Sequence, residues 1–235
     1  MKDFFKVMEV AEFRKQLAGF SPLPERRVSL YESDGRVLAS DIIAREDLPL
    51  ADRSCMDGFA VRAADTFGAS ESSPAYLECV AAIDIERRPD FALKPGDCAA
   101  IVTGGLLPEG ADAVVMVEHT AALEPGGLGT IEIRKSVAPT EHVMLRGEDA
   151  RKEHPALPAG TQLRPQEVGL LAALGYEDVE VHARPRVGIF STGDELIEVG
   201  GTPVPGQVRD VNSGTLDALC KRAGAIPTRY GLVPD

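Results

Sequence analysis

A cluster of hydroxyl and carboxylate side chains directly follows one short apolar run. Val187–Phe190 is the apolar run, and the polar residues Ser191, Thr192, Asp194 and Glu195 follow it. Such a run is typical of a strand buried on both faces of a parallel sheet, and ligands of open α/β sheets bind at the carboxyl ends of their strands. This position predicts binding of a phosphate or of a metal-bound phosphate. A polar strand-to-loop turn without chemistry is the alternative interpretation.

Two further motifs place a polar side chain beside glycine. Asp57 precedes Gly58, which lets backbone approach a ligand closely, although an Asp that stabilises a turn is the alternative. Thr103 is followed by two glycines at the end of the apolar run Ala99–Val102, where backbone N–H groups can face an anion. An ordinary strand end is the alternative for this second motif.

Three carboxylates stand at or just beyond the ends of two neighbouring predicted strands, namely Asp194, Glu195 and Asp235. A pyrophosphate bridged by Mg²⁺ needs a few oxygen ligands, often carboxylates, and water fills the remaining positions. The metal would also draw charge from the phosphate during attack on an anhydride. The set therefore predicts a magnesium site, with solvated surface acids as the alternative.

The composition and net charge of the chain argue against several classes of protein. The 235 residues include 25 basic and 37 acidic side chains, a net charge of −12, which argues against nonspecific nucleic-acid binding. The four cysteines and four histidines show no spacing typical of a structural zinc site. No secretion signal or run of about 18 apolar residues is found, so we expect a cytoplasmic protein with reduced thiols. The length predicts two or three compact units.

The pattern of predicted secondary structure changes near residue 50. A helical stripe predicts a helix over about residues 5–20, and residues 28–43 predict a strand, a short helix around Asp34-Gly35-Arg36 and a second strand. From Asp52 to Val137, short strands separated by Pro/Gly turns predict a small β-barrel or β-rich insert. The predicted strands of that insert are Phe59–Val61, Ala75–Ile83, Cys98–Val102, Ala113–Val117 and Thr130–Ile133.

The second half predicts helices alternating with strands. One helix should begin at Pro165 and end at Gly175, before an exposed strand in which Val179 and Val181 alternate with charged residues. Residues 197–211 predict a long functional loop. A helix capped by Asn212 and ended by Gly224, then a strand over residues 226–232, complete a β-loop-α-β half-unit. Because two strands cannot form a doubly wound sheet, we expect a fragment of a longer protein.

Several motifs together resemble one family. They are Asp52-Arg53-Ser54-Cys55-Met56-Asp57-Gly58-Phe59-Ala60-Val61, Thr103-Gly104-Gly105-Leu106-Leu107-Pro108-Glu109-Gly110-Ala111-Asp112, Arg146-Gly147-Glu148-Asp149 and Ser191-Thr192-Gly193-Asp194-Glu195-Leu196. In this order they resemble the molybdopterin molybdenumtransferase (MoeA) family, which includes the gephyrin E-domain, from about residue 8 to the end. Cys55 and Phe59 stand where that family usually has Ala and Tyr.

The resemblance implies a segmented α/β multidomain fold. Residues 1–24 would form a helix that packs with the α/β domain, and residues 25–47 with 138–182 would form an elongated linker domain. Residues 48–137 would be the inserted β-rich domain. Residues 183–235 would begin a molybdopterin-binding-type parallel α/β domain that is incomplete in this chain.

The resemblance also implies an activity, the insertion of molybdate into adenylated molybdopterin with release of AMP, assisted by Mg²⁺. The enzyme would be a homodimer with a site shared between subunits, through burial of apolar positions on the N-terminal helix and on the helix over 168–174. The implied catalytic residues are Asp57, Thr103 and Glu195. The implied substrate-binding residues are Ser191, Thr192, Gly193 and Asp149, and the implied metal ligands are Glu195, Asp194 and Asp235. A catalytically idle dimerising fragment and a gephyrin-like scaffolding module are the alternatives.

Overall fold

The computed structural model of the chain describes residues 8–124 and 129–234. Within these residues the helices are α1 Val10–Leu17, α2 Pro165–Ala173 and α3 Asn212–Arg222. The strands are β1 Glu25–Ser29, β2 Ile42–Ile43, β3 Arg53–Ser54, β4 Gly58–Val61, β5 Ala75–Ala82, β6 Asp97–Ile101, β7 Ala113–Met116, β8 Thr120–Ala122, β9 Gly129–Ile133, β10 Val143–Met144, β11 Pro155–Leu157, β12 Asp178–His182, β13 Arg186–Thr192, β14 Leu196–Ile197, β15 Val208–Arg209 and β16 Ile226–Val233. The fold is mixed α/β and rich in strands.

The chain divides into two compact units. One combines the chain up to Asp41 with the chain from Leu157 onward, and the other is Ile42–Ala156. We call the first the split unit and the second the β unit. The finer division into four segments that the sequence suggested stays a prediction.

A six-stranded sheet forms the centre of the β unit, in the order β7-β4-β6-β5-β9-β8. Strand β7 lies at one edge of the sheet, with β4 and β6 next to it, and the side chains of all three strands are mostly buried. Successive side chains along each strand point to opposite faces, and each face has its own hydrophobic cluster. One cluster contains Phe59, Val61, Cys98 and Val115, and the other contains Ala60, Ala99, Ile101 and Val114. The predicted β-rich insert therefore forms one sheet with core on both faces.

The turns of this sheet follow the predicted chemistry. Gly96 and Gly110 both adopt positive φ, at 87°, and each lies in a turn that the Pro/Gly pattern indicated. A side chain at Gly110 would place a Cβ 2.5 Å from the Leu93 carbonyl oxygen, so glycine is required there. The predicted turn over residues 124–127 lies largely outside the described residues.

The split unit contains two small sheets. Strands β1 and β12 pair antiparallel, from Glu25 opposite His182 to Ser29 opposite Asp178. Val179 and Val181 are buried, whereas Glu180 between them is exposed, so the strand predicted to be exposed has one buried face. Helix α2 begins at Pro165, and Gly175 follows its end with φ 72°, so both predicted helix signals are confirmed.

Strands β13 and β16 pair in parallel, and α3 packs against both. The prediction that Val187–Phe190 is buried on both faces is wrong: Ile189 is buried, but the side chain of Phe190 is 61% exposed. Within the described residues, α3 covers one face of this pair. Because α3 covers only one face of β13 within these residues, buried and exposed side chains alternate along this strand.

Three other local predictions need correction. Residues around Asp34-Gly35-Arg36 form a turn rather than a helix, since Gly35 has φ 70° and the helical turn lies earlier, at Leu30–Glu32. The predicted loop over 197–211 contains a short parallel ladder, with Leu196 opposite Val208 and Ile197 opposite Arg209. Helix α1 begins only at Val10, and residues 5–7 of its predicted span lie outside the described residues. In the part of the chain that the structure describes, no helix is long and apolar enough to span a membrane.

Candidate functional site

Asp57 and Thr103 are hydrogen-bonded to each other in the β unit. Both the backbone N–H and the hydroxyl of Thr103 donate to Asp57 Oδ1, over 2.7 and 2.8 Å. The two residues are 46 positions apart in sequence, and both are exposed. The structure thus brings together two of the three residues for which the family resemblance implied catalytic roles.

The turns that carry this pair are joined through Ser54. The Ser54 carbonyl accepts the Gly104 N–H at 2.8 Å, and the Ser54 N–H donates to the Gly105 carbonyl at 2.9 Å. The buried Ser54 hydroxyl donates to the Met56 carbonyl at 2.5 Å. Ser54 was not singled out from the sequence, because its contacts are with a segment about fifty residues away.

Two glycines allow this close approach. A Cβ on Gly58 would lie 1.9 Å from the Val115 carbonyl oxygen, because β4 runs tightly against β7 at this point. A Cβ on Gly105 would lie 2.8 Å from Ile101 Cγ1 and 3.0 Å from the Val102 oxygen. Glycine at positions 58 and 105 therefore permits the packing of the backbone that holds the pair.

Hydrogen bonds from Thr103 favour the ionised form of the Asp57 carboxylate. The backbone N–H of Thr103, followed by its hydroxyl, lowers the pKa of Asp57, because both hydrogen bonds stabilise the charged form. Asp57 Oδ2 accepts no hydrogen bond from residues 8–124 or 129–234. The pair can therefore present one oriented, charged oxygen to a ligand.

A cavity of about 870 Å³ also lies in the β unit. Its walls come from the segments Leu50–Asp52, Arg88–Ala92 and Leu106–Ala111, together with Arg146. The third segment begins directly after the Thr103-Gly104-Gly105 turn, and Arg146 begins the turn that carries Asp149. The volume lies in the range of small-molecule binding sites.

Ser191 is buried in the split unit and its hydroxyl is already engaged. It donates to Asp210 Oδ1 at 2.9 Å and lies 3.0 Å from the Ser213 hydroxyl. The Ser213 N–H also donates to Asp210 Oδ1, at 3.0 Å. Asp210 thus ties the end of β13 to the start of α3.

Asp210 is a residue that the sequence reasoning missed. The predicted cap of α3 was Asn212, but the carboxylate that accepts a backbone N–H of the first turn is that of Asp210, 7% exposed. Its pKa is lowered, first by the Ser213 hydroxyl and then by the Ser213 N–H. An Asp three residues before Ser213 is itself a capping signal, which could have identified it.

The remaining predicted residues after β13 lie on an exposed turn. Thr192, Asp194 and Glu195 are exposed, and Gly193 has φ 146°, a conformation that favours glycine. The Glu195 carboxylate folds over Gly193, where a Cβ would lie 2.7 Å from Oε2. A larger residue at position 193 would therefore displace Glu195.

The predicted magnesium ligands do not form a complete protein cage. Among residues 8–124 and 129–234, no three His, Cys, Asp or Glu side chains converge on a metal-sized position. Asp194 and Glu195 are neighbours on one turn, and Asp235 lies outside the described residues. Two carboxylates fit the usual protein share of a Mg²⁺ site whose other ligands are substrate phosphates and water.

The resemblance seen in the sequence is confirmed by comparison with known proteins. The chain is 40% identical over 208 residues to the molybdopterin molybdenumtransferase of Nostoc sp. (strain PCC 7120), covering 88% of this chain and 47% of that protein. It is 39% identical over 208 residues to the molybdopterin molybdenumtransferase of Bacillus subtilis (strain 168), covering 88% and 48%. The chain thus spans about half the length of the curated relatives it matches.

Solved structures agree with the sequence relatives. A molybdopterin biosynthesis MoeA protein from Pyrococcus horikoshii OT3 superposes with a TM-score of 0.72 at 36% identity, covering 90% of this chain and 55% of that one. A second structure of such a protein from the same source gives a TM-score of 0.66 at 34% identity, covering 98% and 58%. Residues 8–175 match the family described as MoeA N-terminal region (domain I and II). The chain therefore belongs to the MoeA family.

Proposed function

We propose that this chain acts in molybdenum cofactor biosynthesis, as the N-terminal part of a molybdopterin molybdenumtransferase. The reaction would be insertion of molybdate into adenylated molybdopterin with release of AMP. The names of the relatives, at about 40% identity over most of this chain, support the assignment. Molybdate and the adenylated molybdopterin are substrates in this proposal.

The Asp57–Thr103 pair is the observation that carries the proposal. Two hydrogen bonds hold one carboxylate oxygen of the exposed Asp57, the other accepts none from the described residues, and nearby glycines permit close backbone approach. Such a fixed and ionised group needs no reorganisation when a substrate binds, which is how preorganised polar groups lower a barrier. We assign Asp57 to orienting the reacting end of the substrate, and Thr103 to holding Asp57 in place and contacting substrate with it.

The turn after β13 would bind the phosphate-bearing part of the substrate. It lies at the carboxyl end of a parallel strand, where α/β folds bind ligands. Thr192 and Gly193 would contact phosphate, with Ser191 supporting the turn through Asp210. Asp194, Glu195 and Asp235 are the proposed Mg²⁺ ligands, and the ion would supply neutralisation of phosphate charge. Asp149 is a further proposed substrate contact.

Two further parts of the proposal concern assembly. Strands β13 and β16 with α3 would be the start of a larger parallel α/β domain, since Phe190, Leu216 and Leu219 are 61%, 46% and 52% exposed. We also propose a homodimer in which Asp57 of one subunit completes the site of the other, so that neither subunit is sufficient by itself.

A chimera tests the assignment of function. Residues 8–175 of this chain would replace the corresponding segment of the Bacillus subtilis relative, which is 39% identical. We expect molybdate-dependent AMP release within about tenfold of the unmodified relative. Asp57→Asn in the chimera should lower that rate at least about tenfold, which is the loss expected when an oriented charge is removed from a reacting site.

Asp84→Asn is the matched control. Asp84 is an exposed carboxylate of the same unit, and its Oδ1 also accepts a backbone N–H, from Glu86 at 3.1 Å. Its replacement should leave the rate unchanged. A chimera that folds, by circular dichroism, but releases no AMP would contradict the proposal and favour the catalytically idle alternative. Equal rates of AMP release in the Asp57→Asn and Asp84→Asn chimeras would contradict the role assigned to Asp57.

A further inference from the structure

Asp47 contacts both ends of the turn that carries Asp149. Its Oδ2 accepts a hydrogen bond from Arg146 Nε at 2.6 Å, and its Oδ1 accepts one from the Lys152 backbone N–H at 2.8 Å. Arg146 and Lys152 stand three positions before and three positions after Asp149. One carboxylate therefore spans the whole turn.

Backbone hydrogen bonds connect the same two segments. The Leu48 carbonyl accepts the N–H groups of Asp149 at 2.9 Å and of Ala150 at 3.2 Å, and the Leu48 N–H donates to the Ala150 carbonyl at 2.8 Å. The Gly147 N–H donates to the Pro49 carbonyl at 3.0 Å. The segment that begins at Asp47 is thus the support on which the Asp149 turn lies.

Other polar groups of the turn are already hydrogen-bonded. Glu148 Oε2 accepts the Leu145 N–H at 2.8 Å, and the Arg146 N–H donates to Asp52 Oδ1 at 2.7 Å. The Asp149 side chain is exposed and makes no hydrogen bond or ion pair with the described part of the chain. Asp149 is therefore the acid that this turn leaves available for a ligand.

Asp47 is the fixed partner in this arrangement. Its side chain is 16% exposed, whereas that of Arg146 is 66% exposed. Gly147 in this turn has φ 70°, a conformation that favours glycine. The Lys152 N–H, and then the Arg146 side chain, lower the pKa of Asp47 and keep it ionised. A charged acceptor in a partly enclosed position holds its donors in one geometry.

We infer that Asp47 is a positioning residue, which clamps residues 146–152 so that the Asp149 carboxylate faces the substrate in one orientation. The inference rests on the proposed function for what Asp149 contacts. The clamp itself concerns this chain alone and can be tested without catalysis.

Amide hydrogen exchange on the intact chain tests the clamp. In Asp47→Ala both acceptors are lost, so the amides of Asp149, Ala150 and Lys152 should exchange at least about tenfold faster. Asp47→Asn keeps one acceptor oxygen and should give a smaller increase. Amides of the β4 strand should be unchanged in both variants. Unchanged exchange at residues 149–152 in Asp47→Ala would overturn the inference.

Asp178→Ala is the matched control for that experiment. Asp178 pairs with Arg27 Nε at the same 2.6 Å distance, but in the split unit. Its loss should leave exchange at residues 149–152 unchanged. Faster exchange at residues 149–152 in Asp178→Ala would mean that loss of any ion pair increases exchange in this turn. That result would also overturn the specific role of Asp47.

A double-mutant cycle in the chimera tests whether Asp47 acts through Asp149. Asp47→Ala and Asp149→Ala should each lower kcat at least about tenfold, and the double variant should be no slower than Asp149→Ala alone. A merely structural role would give losses that multiply, and that result would overturn the inference. If the chimera is inactive, the proposed function fails, while the exchange experiment still decides whether Asp47 clamps the turn.

Discussion

Replacement of Gly58 by Ala should disrupt the contact between β4 and β7. The added Cβ would lie 1.9 Å from the Val115 oxygen, 2.9 Å from the Val115 carbonyl carbon and 3.0 Å from Met116 Cα. All three atoms belong to the backbone, so no change of rotamer can relieve the overlap. Gly58 is paired with Met116 in the ladder, and Val115 is buried in the sheet core.

The size of the effect follows from the distance. Because Cβ contacts to backbone are not found below 3.0 Å, the two strands must separate by about 1.1 Å, the difference between that limit and 1.9 Å. Such a shift breaks part of the β4–β7 ladder and opens the core on both faces of the sheet. We expect destabilisation of the β unit by about 3 kcal/mol, the upper end of the cost of overpacking a core.

Thiol labelling during urea unfolding measures the destabilisation of the β unit specifically. Cys79 and Cys98 are both buried in the sheet core, so they react with a thiol reagent only when the β unit opens, whereas Cys55 and Cys220 are half-buried and do not report on that opening. Burial, and then the neighbouring Cys79, also raise the pKa of Cys98, which keeps that thiol unreactive in the folded state. In Gly58→Ala, labelling of Cys79 and Cys98 should begin at a lower urea concentration.

Gly169→Ala is the matched control. Gly169 lies within α2, and no atom beyond its chain neighbours and the backbone of its own helix lies within 4 Å of the added Cβ, so the substitution should stabilise the split unit by about 0.5–1 kcal/mol. It should leave the labelling of Cys79 and Cys98 unchanged. If Gly58→Ala and the unmodified chain expose these thiols at the same urea concentration, the close β4–β7 approach described here is wrong.

Two other predictions concern pH and assembly. Arg164, through a bidentate side-chain contact with Glu167, lowers the pKa of Glu167 from 4.5 to about 2, so this carboxylate stabilises the fold above pH 4.5 and its contribution is lost as the pH falls toward 2. Thermal unfolding of Glu167→Gln should therefore depend less on pH across that window than unfolding of the unmodified chain, and equal pH dependence would contradict the assignment. Val10, Phe13 and Leu17 of α1 are 65%, 52% and 51% exposed, and we expect them to be buried in an isologous dimer. Sedimentation at tens of micromolar should show a dimer that Phe13→Asp dissociates, and a monomeric unmodified chain would argue against this interface.

Local patterns alone predicted most strands and two helix boundaries. The strands β4 to β7 were found because apolar runs alternate with Pro/Gly turns, and those turns need φ values that glycine supplies. Pro165 and Gly175 marked the limits of α2 because each residue restricts its own backbone. The motifs around Asp57 and Thr103 were also visible as polar residues beside glycine.

The tertiary structure decided which residues act together. The hydrogen bonds between Asp57 and Thr103 join positions 46 residues apart, and those between Asp47 and residues 146–152 join positions about a hundred apart. No local pattern contains such contacts, because they depend on how the sheet and its turns pack. For the same reason, the exposure of Phe190 and the burial of Asp210 were not evident from the sequence: burial depends on which element covers a residue, and in β13 that element is α3, more than twenty residues later.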